Sequence, residues 1–266
     1  KYFSGWDATL GQPSGTKAKV GIVTYDDAAY SEAVNGFLVP GLKRLGFDPM
    51  VERIGQIKTA SDYSSQAAAV QNAELKFASN GVDHVIMFEA NGGLSLFFMN
   101  QASSQHYHPR YGVNSSSATE YLLNAGDIQA DQAKGAVGYG WIPGVDVTAD
   151  RNPDSGPYSS PARRRCVKVF NDNGIKFADG NAEAVALEYC ATLWLLQRAL
   201  ASKPSVINAS TFVQGVEAIG STFDAPGSLG ETLGPGRHDG TSKIYYWRWF
   251  DDCGCLHYDG PRRTIP

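Results

Sequence analysis

Between Lys19 and Val113 the sequence switches back and forth between two hydrophobic periods, and this alternation restricts the fold more than any other feature. The run from Lys19 to Tyr25 is short, β-branched and bounded by a Gly/Pro/Ser/Thr-rich segment at 11–17, so it predicts a buried strand. Over 30–45 the apolar residues Val34, Phe37, Leu38, Leu42 and Leu45 share one helical face. Pro40 should kink or break that helix, and Gly46 should cap its end. A strand at 47–54, a helix at 60–79, a nearly all-apolar strand at 82–88, a helix at 94–104 and a short strand at 110–113 follow. Alternation at this spacing predicts right-handed βαβ crossovers. The expected class is α/β, with a doubly wound parallel sheet covered on both faces.

The second half is built differently. One more strand at 134–141 precedes a polar, proline-bearing connection at 143–161 and a helix at 161–173. A long helix at 182–201 and a shorter one at 210–219 lead to an aromatic strand at 243–250, with a partner strand at 256–258. In the long helix Val185, Tyr189, Leu193, Leu196 and Leu200 make one stripe, while Leu187 and Trp194 put apolar surface elsewhere. A helix apolar on more than one side is expected between layers.

Charge and motifs exclude several functions. Lys plus Arg number 23 against 27 Asp plus Glu, a net charge of −4 that offers no basic surface for nucleic acid. No run of apolar residues is long enough for a membrane-spanning helix. There is no G-x-x-x-x-G-K-[ST] cradle, Gly138-Tyr139-Gly140 lacks the third glycine of a dinucleotide loop, and no G-x-S-x-G elbow occurs. His84, His106, His108, His238 and His257 are scattered, and the four cysteines lack C-x₂-C spacing, so neither a metal nor a cofactor is expected. Cys166, Cys190, Cys253 and Cys255 allow three pairings. An even count without C-x-x-C suits an oxidising compartment slightly better than it suits buried thiols. The C-G-C at 253–255 reads as too tight for an ordinary bridge, so at least one disulfide should join it to the helix of Cys166 or of Cys190.

Ligands of a parallel sheet bind at the carboxyl ends of its strands. Those ends carry Tyr25, Asp26, Asp27 and Tyr30, then Glu89 and Asn91, then Asn114 and Ser115. The tyrosines offer flat apolar faces with a hydroxyl each, and the amides and serine offer uncharged donors and acceptors. Such a set suits gripping a small polar molecule rather than transforming it. The plainer reading of each tyrosine is packing of helix on sheet. Asp26 and Asp27 together resemble the acidic loop of a flavodoxin-like, metal-dependent enzyme, but one of them capping the next helix is the simpler role.

At this point the chain resembles a known family. The stretch from Lys19 to Tyr30 is similar to the first strand and turn of the second lobe in type I periplasmic binding proteins, above all the branched-chain amino-acid (Leu/Ile/Val-type) receptors of ABC transporters. The resemblance continues through 42–46, 81–88, 182–200, 233–240 and the strand with Tyr246. It implies two lobes that close on a solute, with residues 1–17 as inter-lobe linker, 18–175 as the second lobe, 176–240 as part of the first lobe and 241–266 as terminal strands crossing between them. The opening half of the first lobe has no counterpart, which implies an incomplete first lobe completed by a missing segment or a second chain. The helix at 182–201 would then pack against another chain or leave an apolar patch exposed.

The resemblance further implies a non-enzymatic, extracytoplasmic solute-binding component of an ABC importer, in the periplasm or lipid-anchored at the outer face of the membrane. Its partners would be a small-molecule solute and a membrane permease, and its signal segment would lie outside this sequence. A sensory receptor module on the same fold is an alternative. Tyr30 matches the cleft tyrosine of the family. Asn91 stands where a second cleft aromatic usually sits, and Asn114 or Ser115 where amino-acid receptors place an acid for the ligand ammonium. A neutral amide cannot offer that charge-assisted bond, which points away from an α-amino acid.

Overall fold

The segment ahead of the first predicted strand is itself paired: β1 (Ser4–Asp7) runs antiparallel to β2 (Gln12–Lys17). The computed structural model describes residues 2–7, 11–57, 59–153, 160–201, 206–238 and 240–265. All six residues of β2 are exposed, so this pair cannot be held by a core of its own. Asp83 ties it down, its carboxylate accepting from the backbone N–H of Trp6 at 3.0 Å and of Lys19 at 2.7 Å and meeting His84 Nδ1 at 2.8 Å. Burial pushes the Asp83 carboxyl up, but those partners outweigh it and hold the group below its ordinary value.

The chain forms two compact units, one comprising residues up to Tyr139 together with Trp247–His257, the other Gly140–Tyr246 and the residues from Tyr258 on. In the first unit β3 (Val20–Tyr25) is buried at every position. It pairs in parallel with β4 (Met50–Ile54) and β5 (His84–Phe88), Ile22 lying opposite both Val51 and Ile86. β6 (Arg110–Asn114) and β7 (Val137–Gly140) extend the sheet, giving the order β4-β3-β5-β6-β7. Beyond β7 the Trp249 N–H donates to Ala136 O at 2.9 Å. Helices α1 (Ala28–Ala33), α2 (Val39–Arg44), α3 (Ala60–Ser79), α4 (Gly93–Ser104), α5 (Thr119–Ala125) and α6 (Ala130–Ala133) fill the connections.

Burial on both faces explains why β3 reads as one apolar run. Val20 and Ile22 pack with Val34, Leu38, Val39 and Leu42 of the first connection. Gly21 points the other way, and a Cβ there would lie 2.9 Å from the ring of Phe77 on α3. The expected break at Pro40 is a local widening instead of a stop. Val34–Leu38 form a π-turn in which Val39 N–H donates to Val34 O, and Pro40 falls in the first turn of α2. The wider turn moves away the carbonyls that the proline ring would strike, so Leu42 still reaches the core.

Glu74 on α3 is fully buried, neither carboxylate oxygen has a hydrogen-bond partner among the described residues, and burial raises its pKa to about 7. The folded state therefore keeps a proton that the unfolded chain gives up near the ordinary value of 4.5. Stability should fall as pH rises from about 4.5 to 7, with this residue costing on the order of 2–3 kcal/mol above that window. Urea titrations at pH 4.5 and pH 8 should show Glu74→Gln losing less stability than the parent between the two. Equal losses would place the slope elsewhere.

The second unit contains α7 (Pro143–Asp146), α8 (Pro161–Asp172), α9 (Gly180–Ala199) and α10 (Ala209–Glu217). Of the predicted connection at 143–161, residues 154–159 lie outside the described residues. The aromatic strand β8 (Lys243–Phe250) pairs with β9 (Cys255–Tyr258) and, through Ile244, with β10 (Arg263–Thr264). Among the described residues no helix is long and apolar enough to cross a membrane.

Helix α9 corrects one expectation. Its bulky stripe does not lie between layers: Val185, Tyr189, Leu193 and Leu196 are all exposed, Tyr189 by 66%. The buried face is the one with small residues, Ala184, Ala186, Cys190 and Ala199, joined by Leu187. Small side chains let other backbone come close. A Cβ on Gly215 of α10 would sit 2.0 Å from Ala199 O, and one on Gly144 of α7 would sit 3.2 Å from Ala184 Cβ. Close approach on that side decides the packing, and the larger residues are left outward.

The disulfides correct a second. Cys166 of α8 pairs with Cys190 of α9, and Cys253 pairs with Cys255, so no bridge joins the C-G-C turn to a helix. Two helices folded back across a turn bring together residues equidistant from it, and Cys166 and Cys190 lie twelve positions either side of residue 178. Their Cα atoms are 6.0 Å apart.

Candidate functional site

In chain order the strand sequence β4-β3-β5-β6-β7 is second, first, third, fourth, fifth. Connections leave β3 and β5 toward opposite sides, and the carboxyl ends of these two strands flank the crevice in which doubly wound sheets bind ligands. Thr24 lies opposite Phe88 and Ile86 opposite Gly112, so Tyr25, Glu89 and Ser115 fall at the same edge. From β3 to β6 that edge spans two strand spacings, about 10 Å.

At the crevice the Tyr25 hydroxyl donates to Asn91 Oδ1 at 3.0 Å. The Tyr25 ring meets Tyr30 edge-on at 5.4 Å, and Tyr30 in turn meets Phe88 at 5.9 Å. Tyr25 is buried, Tyr30 half-buried and Asn91 exposed, so a hidden tyrosine supports an accessible tyrosine and an accessible amide. Burial pushes both tyrosine hydroxyls above their ordinary value, helped at Tyr25 by Glu89 and at Tyr30 by Asp27. Both remain donors at neutral pH. Gly92 has φ +72°, and a Cβ there would lie 3.1 Å from Ala118 Cβ and 3.2 Å from Ser117 O. Glycine is what lets the loop after β5 touch the turn after β6.

The other sequence-predicted residues serve the scaffold around this set. Glu89 is buried, accepting from Leu94 N–H at 2.8 Å, from Ser95 N–H at 2.7 Å and from the Ser95 hydroxyl. Burial raises its pKa to about 7 against those donors, and it caps the start of α4. Asn114 Oδ1 accepts from Ser116 N–H at 2.8 Å and caps the 3₁₀ turn Ser115–Ser117, within which Ser115 is buried. Asp26 is exposed. Asp27 accepts from Tyr30 N–H at 3.1 Å with one oxygen and from the Gln56 amide with the other. The simpler role expected for this acidic pair, helix capping, falls to Asp27.

Sequence reasoning passed over the loop after β4. Gln56 there fixes Asp27, and Ile57 O lies 3.7 Å from where a Cβ on Gly93 would stand. Only the strand order places that loop beside β3, since nothing in its composition marks it. A concavity of about 660 Å³ elsewhere in the first unit, lined by Asn100, Ser103, Ser104, Gln129, Ala130 and Asp131, shares no residue with the crevice.

This architecture is the fold of the type I periplasmic binding proteins. Among solved structures the chain is similar to an extracellular ligand-binding receptor from Rhodopseudomonas palustris, at 13% identity and a TM-score of 0.54 over 91% of this chain and 63% of that one. It is also similar to a leucine-binding protein from Thermotoga maritima (14% identity, TM-score 0.50, 91% and 60%). A third is a protein described as an ABC transporter permease from the Pseudomonas fluorescens group (14%, 0.51, 92% and 56%). The chain thus spans about 60% of the length of these proteins. No family model and no curated protein matches the sequence.

Proposed function

We propose that this protein captures a small polar solute without chemical change, as the extracytoplasmic binding component of an ABC importer that hands its ligand to a membrane permease. The observation that carries the reading is the Tyr25–Asn91–Tyr30 set at the β3/β5 switch point: aromatic surface, uncharged hydrogen-bonding groups and a rigid support, with no nucleophile-and-base pair. The Thermotoga maritima neighbour, named for leucine binding, supports a solute-binding role on this fold. By the family resemblance, Asn114 or Ser115 takes the position at which amino-acid receptors carry an acid for the ligand ammonium, and neither residue is charged. The ligand class is therefore one without a free ammonium, such as an amide, a polyol-like compound or an aromatic carboxylate.

The test is calorimetric titration of the full chain with a panel of such compounds beside leucine and valine. Tyr30→Ala should weaken binding about tenfold, an aromatic contact being worth about 0.5–1.5 kcal/mol beyond the area it covers. Tight binding of leucine or valine that Tyr30→Ala leaves unchanged would overturn both the site and the ligand class. A ligand-binding module of a receptor is the second reading, favoured by the description of the Rhodopseudomonas palustris match. A gene neighbourhood containing permease genes would decide for the importer.

A further inference from the structure

The turn between β8 and β9 gathers a ligand set that solute binding does not use. Asp252, Cys253 and His257 each present a potential metal-ligating atom, and these atoms all lie within 4.8 Å of one another. Cys253 is solvent-accessible and bonded to Cys255 across Gly254, whose φ of +60° allows so tight a return. Cys255 and His257 are two apart on β9, so their side chains leave the same face of the strand. The His257 imidazole stacks on Phe250 with ring centroids 3.5 Å apart and planes inclined by 10°, which fixes its plane. The Arg248 guanidinium lies 3.7 Å from the same Phe250 centroid, and two groups so near one ring must occupy opposite faces, so this cation is kept off the cluster.

We propose that the C-G-C turn is a redox-gated zinc site. In the oxidised protein the sulfur lone pairs belong to a disulfide and bind metal poorly. A small dithiol transfers two electrons to the Cys253–Cys255 bond and leaves as its own cyclic disulfide, giving two thiols. Zinc then displaces one proton from each and is held by the two thiolates, the His257 imidazole and the Asp252 carboxylate. Mixed sulfur, nitrogen and oxygen ligation of this kind suits four-coordinate zinc. A disulfide with one solvent-accessible sulfur, that of Cys253, is open to thiol attack, whereas Cys166 and Cys190 are both buried and stay bonded under the same treatment.

The experiment treats the folded full chain with dithiol under anaerobic conditions, removes the reagent and titrates Zn²⁺ in competition with a chromophoric chelator. Co²⁺ is used in parallel as a spectroscopic probe. One zinc per chain should bind after reduction and none before, and the cobalt form should show thiolate-to-metal charge-transfer bands. The Cys253→Ser/Cys255→Ser double variant should lose the site. His257→Ala and Asp252→Asn, checked for folding by circular dichroism, should weaken it more than about tenfold. The proposal is overturned if two free thiols appear and no zinc binds, if the dithiol leaves the turn oxidised, or if the double-serine variant binds zinc as well as the parent.

Discussion

Phe98→Ala should destabilise the protein by about 3–5 kcal/mol, the range for emptying an aromatic site in a well-packed core. Phe98 is fully buried on α4, with Phe77 of α3 at 6.0 Å on one side and Tyr111 of β6 at 6.4 Å on the other. These neighbours cannot collapse into the vacated space. Phe77 is wedged over Gly21, and the Tyr111 hydroxyl is fixed by its bond to Gln132 Oε1 at 2.9 Å. The same helix begins at Gly93, directly after the Asn91 loop and on the Glu89 cap, so loosening it should also weaken ligand capture. Urea unfolding gives the stability, and Phe98→Leu should recover most of it because volume is nearly kept. A loss below about 1 kcal/mol for the alanine variant would mean that α4 is not clamped as its contacts require.

The βα alternation of the first unit was legible because its central strand β3 is buried at every position and reads as one apolar run between helical patterns. The predicted helix at 60–79 is α3 to the residue, and the strand at 243–250 is β8. Less was legible where long-range approach decides. Helix α9 carries its most apolar side outward, because the glycines opposite its alanines are distant in sequence and their shape cannot be read from periodicity. The β1–β2 pair was hidden for a similar reason. Its partner is Asp83, 66 or more positions further along, and β2 is exposed at every position.

The candidate site was half legible. That Tyr25, Tyr30 and Asn91 lie at strand ends follows from the sequence, and the structure brings Tyr25 to both of the others. That Glu89 turns inward does not follow. A carboxylate two positions before an exposed amide looks available until the first turn of α4 is seen to aim the N–H groups of Leu94 and Ser95 at it. The donors of the helix start offset only part of the cost of burying that carboxylate, and its pKa rises to about 7.

The two disulfides should differ sharply in what they contribute. In the chain-entropy account, closing the loop between Cys166 and Cys190, a separation of 24, is worth about 3 kcal/mol, whereas the separation of 2 between Cys253 and Cys255 is worth about 1 kcal/mol. Cys166→Ala/Cys190→Ala should therefore cost about 3 kcal/mol, made worse by the loss of sulfur packing against Leu187 and, around it, Phe170 and Trp194. The helix pair would still be held by the Arg163–Glu183 ion pair at 2.8 Å and by Arg165 over the Trp194 ring at 4.5 Å. Partial loss of stability, not failure to fold, is the expected result. Cys253→Ala/Cys255→Ala should shift the urea midpoint only slightly. If the two double variants lose equal stability, the C-G-C bridge is a structural clasp in its own right, and loop closure in the unfolded chain does not set the value of either bond.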